Sequence, residues 1–246
     1  MSDISRSIFR TGLAKIRRMV RRDNFAPSPM SWSGLPVALK RVHDVQVNFK
    51  TVIDVGASDG QWSRVAHTVF PDARYVLIEM NEVHLAALTE YGESIGAEVI
   101  PVAAADHDGD VYFEPAADIY GGRAVNESRG ILTSTPARRL DTLASERGWT
   151  PPYLIKLDTH GFEIEIVNGA AGILADTSVA IIEAYNFKLS DTSVRFHELC
   201  AYMQDQGFRC FDIFDPLHRE KDGALWQFDM VFLRADLPTL NIPGYH

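Results

Sequence analysis

A chain of 246 residues with 46% apolar content and a net charge of −9 can bury a full core, and it reads as one domain with an N-terminal extension. The acidic balance excludes a general nucleic-acid binder, which needs cations to displace phosphate counterions, so no nucleic-acid partner is expected. Two cysteines, Cys200 and Cys210, are too few for a disulfide framework or a cysteine-rich metal site, and both read as reduced thiols of a cytoplasmic protein.

The charge is unevenly spread. Residues 1–22 carry seven basic side chains against Asp3, so this arm is +6 and the remainder −15. With Ile4, Ile8, Phe9, Leu13, Ile16, Met19 and Val20 interleaved, the arm has the pattern of a basic amphipathic helix. Two outcomes are open for it: peripheral contact with an anionic membrane or a partner, or packing on its own domain or on a homo-oligomer mate. No signal peptide is expected, because the arm lacks an uninterrupted apolar stretch and a small-residue cleavage site. No later segment approaches about 18 consecutive apolar residues. Residues 24–36, with three prolines, Gly34 and several serines, read as a linker, so residues 1–36 form an arm and 37–246 the domain proper.

From Val37 apolar runs alternate with helical patterns. Strands are predicted at 51–55, 75–79, 98–103, 110–113, 153–157, 179–183, 208–213 and 228–233, and helices at 61–69, 82–92, 162–174 and 194–206. Strand–helix alternation needs crossover connections, so the sheet should be largely parallel and covered on both faces. The last two strands have only a polar, turn-rich segment between them and should pair antiparallel. The expected fold is α/β: a Rossmann-like, seven-stranded, mostly parallel sheet closed by a C-terminal antiparallel hairpin, the layout of class I methyltransferases that use S-adenosylmethionine.

The first strand, Thr51-Val-Ile-Asp-Val55, runs into Gly56-Ala-Ser-Asp-Gly60 and then a helix from Gln61. Gly56 and Gly60 lack Cβ atoms, so the backbone can turn sharply and come close to a ligand at the helix N-terminus. The segment also matches the G-x-S-x-G elbow of α/β-hydrolases, with Ser58 as nucleophile, but that reading leaves Asp54 and Glu79 idle. A dinucleotide site needs G-x-G-x-x-G, which is absent. An S-adenosylmethionine site uses every residue. Asp54 accepts from the methionyl ammonium, the backbone of Gly56, Ala57 and Ser58 lies along the cofactor, and Glu79, ending the second strand 19 residues after Gly60, takes the ribose hydroxyls. Trp62 either covers the cofactor or packs on the sheet. Met80 and Asn81 are candidates for the adenine edge, and Ala104 to Asp106 for its amino group, although Asp106 could instead cap the turn after it.

On the reacting side, Tyr153-Leu-Ile-Lys-Leu-Asp-Thr-His-Gly161 delivers Asp158 and His160 to the carboxyl edge of the sheet, where an open α/β fold does its chemistry. His160 is a candidate general base for a hydroxyl, with Asp158 orienting it, or else a surface turn residue. Glu183, ending the next strand, falls on the same edge and could bind substrate or join Asp158 on a divalent ion. Two carboxylates are not a metal signature, so no metal residue is assigned. Segments 120–130, with Arg123 and Arg129, and 215–223 are candidate acceptor-side loops.

Over residues 50–233 the sequence resembles the FkbM family of S-adenosylmethionine-dependent methyltransferases. The resemblance rests on Ile53-Asp-Val-Gly-Ala-Ser-Asp-Gly60, Arg139-Leu-Asp-Thr-Leu143, Gln227-Phe-Asp-Met-Val-Phe232 and, most specifically, on Lys156, Asp158, Gly161, Glu163 and Gly169 in the segment 155–170. His160 departs from it, standing where the family usually has Glu or Gln. The resemblance implies S-adenosylmethionine as cofactor and methylation of an oxygen on a sugar, polyketide or other secondary metabolite, with a small molecule or glycan as acceptor. The alternative is a catalytically inactive scaffold of the same fold, recruited through the basic arm.

Overall fold

The computed structural model describes residues 34–114, 122–126 and 132–241, apart from the side chains of Thr239 and Asn241. Residues 1–33, 115–121, 127–131, which include Arg129, and 242–246 lie outside the described residues. Eleven strands are described: β1 (Thr51–Val55), β2 (Arg74–Ile78), β3 (Glu98–Ile100), β4 (Ala103–Ala104), β5 (Gly109–Glu114), β6 (Arg123–Val125), β7 (Thr133–Arg138), β8 (Tyr153–Leu157), β9 (Thr177–Tyr185), β10 (Phe208–His218) and β11 (Leu225–Arg234). The helices are α1 (Leu35–Asp44), α2 (Gln61–Val69), α3 (Glu82–Ile95), α4 (Leu140–Arg147), α5 (Glu163–Gly169), α6 (Ala171–Leu174) and α7 (Phe196–Asp205).

The main sheet has the order β3-β2-β1-β8-β9-β11-β10. Pairs β1/β2, β2/β3, β1/β8 and β8/β9 are parallel, while β11 inserts antiparallel between β9 and β10. This is the expected seven-stranded layout. The central strands read as uninterrupted apolar runs because both faces are covered: Ile53, Val55, Ile155 and Ile182 pack on one side, Val52, Leu77, Leu154 and Ile181 on the other. The chain order reverses direction across the sheet between β1 and β8. That switch opens a crevice at the carboxyl ends of these two strands.

Several elements differ from the sequence expectation. The predicted strand 98–103 ends at Ile100, and Ala103–Ala104 joins a second, four-stranded sheet of order β4-β7-β5-β6. That sheet was hidden because Thr-Ser-Thr-Pro-Ala-Arg138 and Arg-Ala-Val125 carry too few apolar residues to show a period of two. The predicted helix 162–174 is interrupted at Ala170, where φ is −110° and ψ 10°. Helix α1 begins at Leu35, inside the expected linker, with Pro36 in its first turn, where a missing N–H costs nothing.

Candidate active site

Two turns meet at the crevice. After β1 the chain passes Gly56 at φ +74° and Ser58 at φ +50°, then Gly60 at φ +88°, which caps α2. The missing Cβ atoms also make room within the protein. A Cβ on Gly56 would fall 2.0 Å from the carbonyl oxygen of Asp158, and one on Gly60 would fall 2.6 Å from the Tyr91 ring. Gly56 thereby lets the turns after β1 and β8 touch. Glu79, 7% exposed, fixes the first turn: Oε2 accepts from the Ser58 amide at 2.8 Å and Oε1 from the Asn81 amide at 2.6 Å. Each oxygen keeps further lone-pair capacity.

Asp54 is 1% exposed. Its Oδ2 accepts from the Ser63 hydroxyl at 2.6 Å, whereas Oδ1 is buried without a partner among the described residues. Burial pushes its carboxyl up to about 6, against the pull of Lys156 and Ser63. Among the described residues the Ser58 hydroxyl also has no hydrogen-bond partner, so none of them is aligned as a base for the hydrolase reading.

Strand register builds the other half. Asp54 pairs with Lys156, Lys156 with Ile181, and Glu183 with Asp229. Because side chains alternate, Asp54, Lys156, Asp158, Glu183 and Asp229 share one face at the carboxyl edge. Lys156 is 1% exposed, with Nζ 3.0 Å from Oδ2 of Asp158 and 4.0 Å from Oδ1 of Asp229. Burial opposes its charge, but Asp158, Asp229, Asp54 and Glu183 outweigh burial and hold the lysine above its usual range, so it stays protonated. Burial alone would raise Asp158, yet Lys156 and then His160 prevail and keep it ionised. Burial and the Asp158 charge push Glu183 well above the usual carboxylate range. Tyr185 and Gln227 each donate to Glu183 through short hydrogen bonds. The two neighbouring carboxyls are thus driven apart, one charged and one inclined to hold its proton.

His160 sits on the turn after β8 at φ +56°, followed by Gly161 at φ +100°. Glu163 holds that turn, accepting at Oε1 from the Gly161 amide at 2.9 Å and the Thr159 hydroxyl at 3.2 Å. The second sheet reaches over the edge here, and Nδ1 of His160 lies 3.3 Å from the carbonyl oxygen of Gly122. A carbonyl only accepts, so Nδ1 carries the proton and, in the neutral ring, Nε2 carries the lone pair. Nε2 faces Asp158 Oδ1 at 3.8 Å and Glu183 Oε2 at 3.7 Å. Asp158, His160 and Glu183 offer atoms within 4.8 Å of one another, close enough to hold a cation; Lys156 already pairs with Asp158.

Residues 54–210 match the family described as the methyltransferase FkbM domain. The chain belongs to the FkbM methyltransferase family. The FkbM match contains both turns, and membership carries methyl transfer. The fold is similar to an S-adenosylmethionine-dependent methyltransferase from Clostridium acetobutylicum ATCC 824, at 8% identity, covering 92% of this chain and 99% of that one with a TM-score of 0.45. It is also similar to precorrin-6y C5,15-methyltransferase from Geobacter metallireducens GS-15, at 13% identity, 87% and 95% coverage and a TM-score of 0.44. A third similar structure is a SAM-dependent methyltransferase from Agrobacterium tumefaciens, at 9% identity, 82% and 61% coverage and a TM-score of 0.47. No curated protein matches the sequence.

The FkbM site residues fit the implied donor at one observable point: Oδ1 of Asp54 is a buried acceptor with nothing to accept, at the turn where the methionyl ammonium would lie. Other expected residues fall elsewhere. Asn81 caps α3, its Oδ1 accepting from the Val83 amide at 3.3 Å. Asp106 lies on an exposed turn with Oδ1 2.7 Å from Nδ1 of His107. Ala104 pairs with Arg138 in the second sheet and is buried in the core, so its side chain offers no free edge. Met80 and Trp62 pack on the two core clusters, with Nε1 of Trp62 buried and unpartnered. Arg123 is engaged by Glu114 at 2.7 Å and by the Leu189 carbonyl.

The FkbM motif residues now have physical reasons. Gly169 is required because a Cβ would fall 1.9 Å from the carbonyl oxygen of Ala105. Lys156 and Asp229 went unassigned in the sequence reading. Their signal was a charge embedded in an otherwise apolar strand, as in Tyr-Leu-Ile-Lys-Leu157 and Gln-Phe-Asp-Met-Val-Phe232. Among the described residues no helix is long and apolar enough to cross a membrane.

Proposed function

We propose that this protein is an S-adenosylmethionine-dependent O-methyltransferase that methylates a hydroxyl of a sugar, glycan or other secondary metabolite, with His160 as general base. The observation that carries the reading is the orientation of His160: its Nδ1–H is spent on Gly122, and its basic Nε2 faces the carboxyl edge between Asp158 and Glu183. Asp54, the 56–60 turn and Glu79 would hold the donor. When bound, the donor supplies an electrophilic methyl group on a sulfonium.

With donor and acceptor bound, Nε2 of His160 would take the proton of the acceptor hydroxyl as that oxygen is methylated. The imidazolium so formed is stabilised by the ionised Asp158, itself held in place by Lys156. Asp158 and Lys156 are positioning residues in this scheme. The transfer is a displacement between two oriented partners, so much of the rate should come from holding them in line.

The test is methyl transfer from radiolabelled S-adenosylmethionine to a panel of sugars and hydroxylated metabolites. The substitution His160→Ala should lower turnover by about 100-fold, the scale of general-base assistance, with donor affinity unchanged. An unaltered rate would remove His160 from the mechanism.

A further inference from the structure

The second sheet meets the active site through the Gly122 carbonyl, 3.3 Å from Nδ1 of His160, and what holds that carbonyl there has no part in the chemistry above. Gly122 directly precedes β6, a three-residue strand at the outer edge of the second sheet that pairs with β5 among the described residues. So short a ladder is weak by itself. Arg123 reinforces it in two directions. Its Nε and Nη2 reach Oε2 of Glu114, the directly opposite residue on β5, at 2.7 and 2.6 Å. Its Nη1 donates to the Leu189 carbonyl at 2.5 Å, in the segment that follows β9. Leu189 is fixed in turn, its amide donating to Oγ of the buried Ser193 at 2.8 Å. Both residues border Gly161, the neighbour of His160: a Cβ built on Gly161 would lie 3.1 Å from Cβ of Ser193 and 3.4 Å from that of Leu189. The contacts close a ring, from His160 to Gly122 and Arg123, across to Leu189, and back through Gly161.

We infer that Arg123 is a positioning residue for the base: by clamping β6 between Glu114 and Leu189, it keeps the Gly122 carbonyl on Nδ1 of His160 and so keeps the lone pair of the neutral ring on Nε2. The inference deepens the methyltransferase reading and rests on it. The tautomer of a neutral imidazole follows the hydrogen bonds that its nitrogens make, and a carbonyl can accept but not donate. On the opposite side of the ring stand two carboxyl groups, Asp158 at 3.8 Å and Glu183 at 3.7 Å from Nε2. The ionised Asp158 is itself an acceptor, so without the Gly122 carbonyl the proton would be drawn to Nε2. The ring would then present an N–H where the reaction needs a lone pair. A guanidinium suits this task because its donors point in fixed directions and can bridge two acceptors at once, which a single ammonium on a flexible stem does less well. The Arg123 side chain is 25% exposed and that of Glu114 43%, so the clamp lies at the surface and its loss should spare the core.

Two-bond 1H–15N correlation NMR on the full-length protein labelled with 15N-histidine reads the ring directly, at about pH 8.5, where an ordinary imidazole is neutral. The spectrum of His160→Gln identifies His160 among the eight histidines. Wild type should show the Nδ1–H form of His160, and Arg123→Ala should lower the ratio of Nδ1–H to Nε2–H by about tenfold, the scale of one hydrogen bond. Arg123→Lys keeps the charge without spanning both acceptors and should fall between the two. With an acceptor that wild type methylates, kcat should drop in Arg123→Ala at least in proportion to the Nδ1–H fraction lost, while S-adenosylhomocysteine affinity stays unchanged. Should Arg123→Ala not fold, the same comparison is made with Arg123→Lys. A wild-type ring already in the Nε2–H form, or the same His160 pattern in wild type and variant, would overturn the inference. The tautomer is read without acceptor and is therefore separate from turnover: full kcat in His160→Ala would sink the base assignment, whereas an unmoved tautomer sinks the role of Arg123 alone.

Discussion

The ammonium of Lys156 lies 3.0 Å from Oδ2 of Asp158, inside a sheet edge where Asp54, Asp158, Glu183 and Asp229 converge. Glu183 and Asp229 stand directly opposed across a strand pair, where two like charges would repel, and the buried Lys156 cation offsets the acids of the edge that ionise. Replacing Lys156 with Met would leave the acids uncompensated. We expect a loss of about 3–5 kcal/mol in urea unfolding, the scale for breaking a buried ion pair from one side. A loss within error would show that the row is neutralised by other means.

Asp229 provides the complementary test. Burial, with the charges of Asp158 and Asp215, lifts its carboxyl from the ordinary 3.8 to about 7. The folded state therefore binds this proton more tightly than the unfolded chain does. The resulting stability is present in full below 3.8 and is lost as pH rises through about 7. Asp229→Asn should gain melting temperature over wild type, by more at pH 8 than at pH 4. Parallel curves for the two proteins would place the ionised form of Asp229 in a comfortable environment.

Asp54 should make donor binding pH-dependent. Its carboxyl titrates at about 6, and only the ionised form can hold an ammonium at Oδ1. Affinity for S-adenosylmethionine should be flat above pH 7 and fall by up to about tenfold per unit below pH 6. Asp54→Asn should bind weakly and without that slope, and a slope that survives the substitution would assign it to another group.

Much of this arrangement is legible in the sequence, and the missing parts have definite causes. The central strands declare themselves because a strand covered on both faces is apolar throughout, and Asp54, Glu79, Asp158 and Glu183 stand out as acids ending such runs. The second sheet is silent because Thr133–Arg138 and Arg123–Val125 carry little apolar surface, so the contact of Gly122 with His160 could not be foreseen. The protein contacts that Gly56 and Gly60 admit are hidden for a related reason. A glycine before a helix announces a close approach, but only the fold tells that the approaching groups are Asp158 and Tyr91.

The contact at Gly56 carries a prediction of its own. Alanine there meets both a left-handed φ of +74° and the Asp158 carbonyl at 2.0 Å. We expect Gly56→Ala to lose about 3 kcal/mol of stability, the upper range for overpacking a tight core, and to lose methyl transfer with it. A stable, active variant would mean that the two turns can separate without harm.

The most direct test of the donor site is a calorimetric titration of S-adenosylhomocysteine into the wild-type protein and Glu79→Ala, with NAD as control. Micromolar binding to wild type, marked weakening in Glu79→Ala and no binding of NAD are expected. Failure of S-adenosylhomocysteine to bind, or equal binding by Glu79→Ala, would contradict the assignment of the turn after β1 and the carboxylate after β2 to the methyl donor.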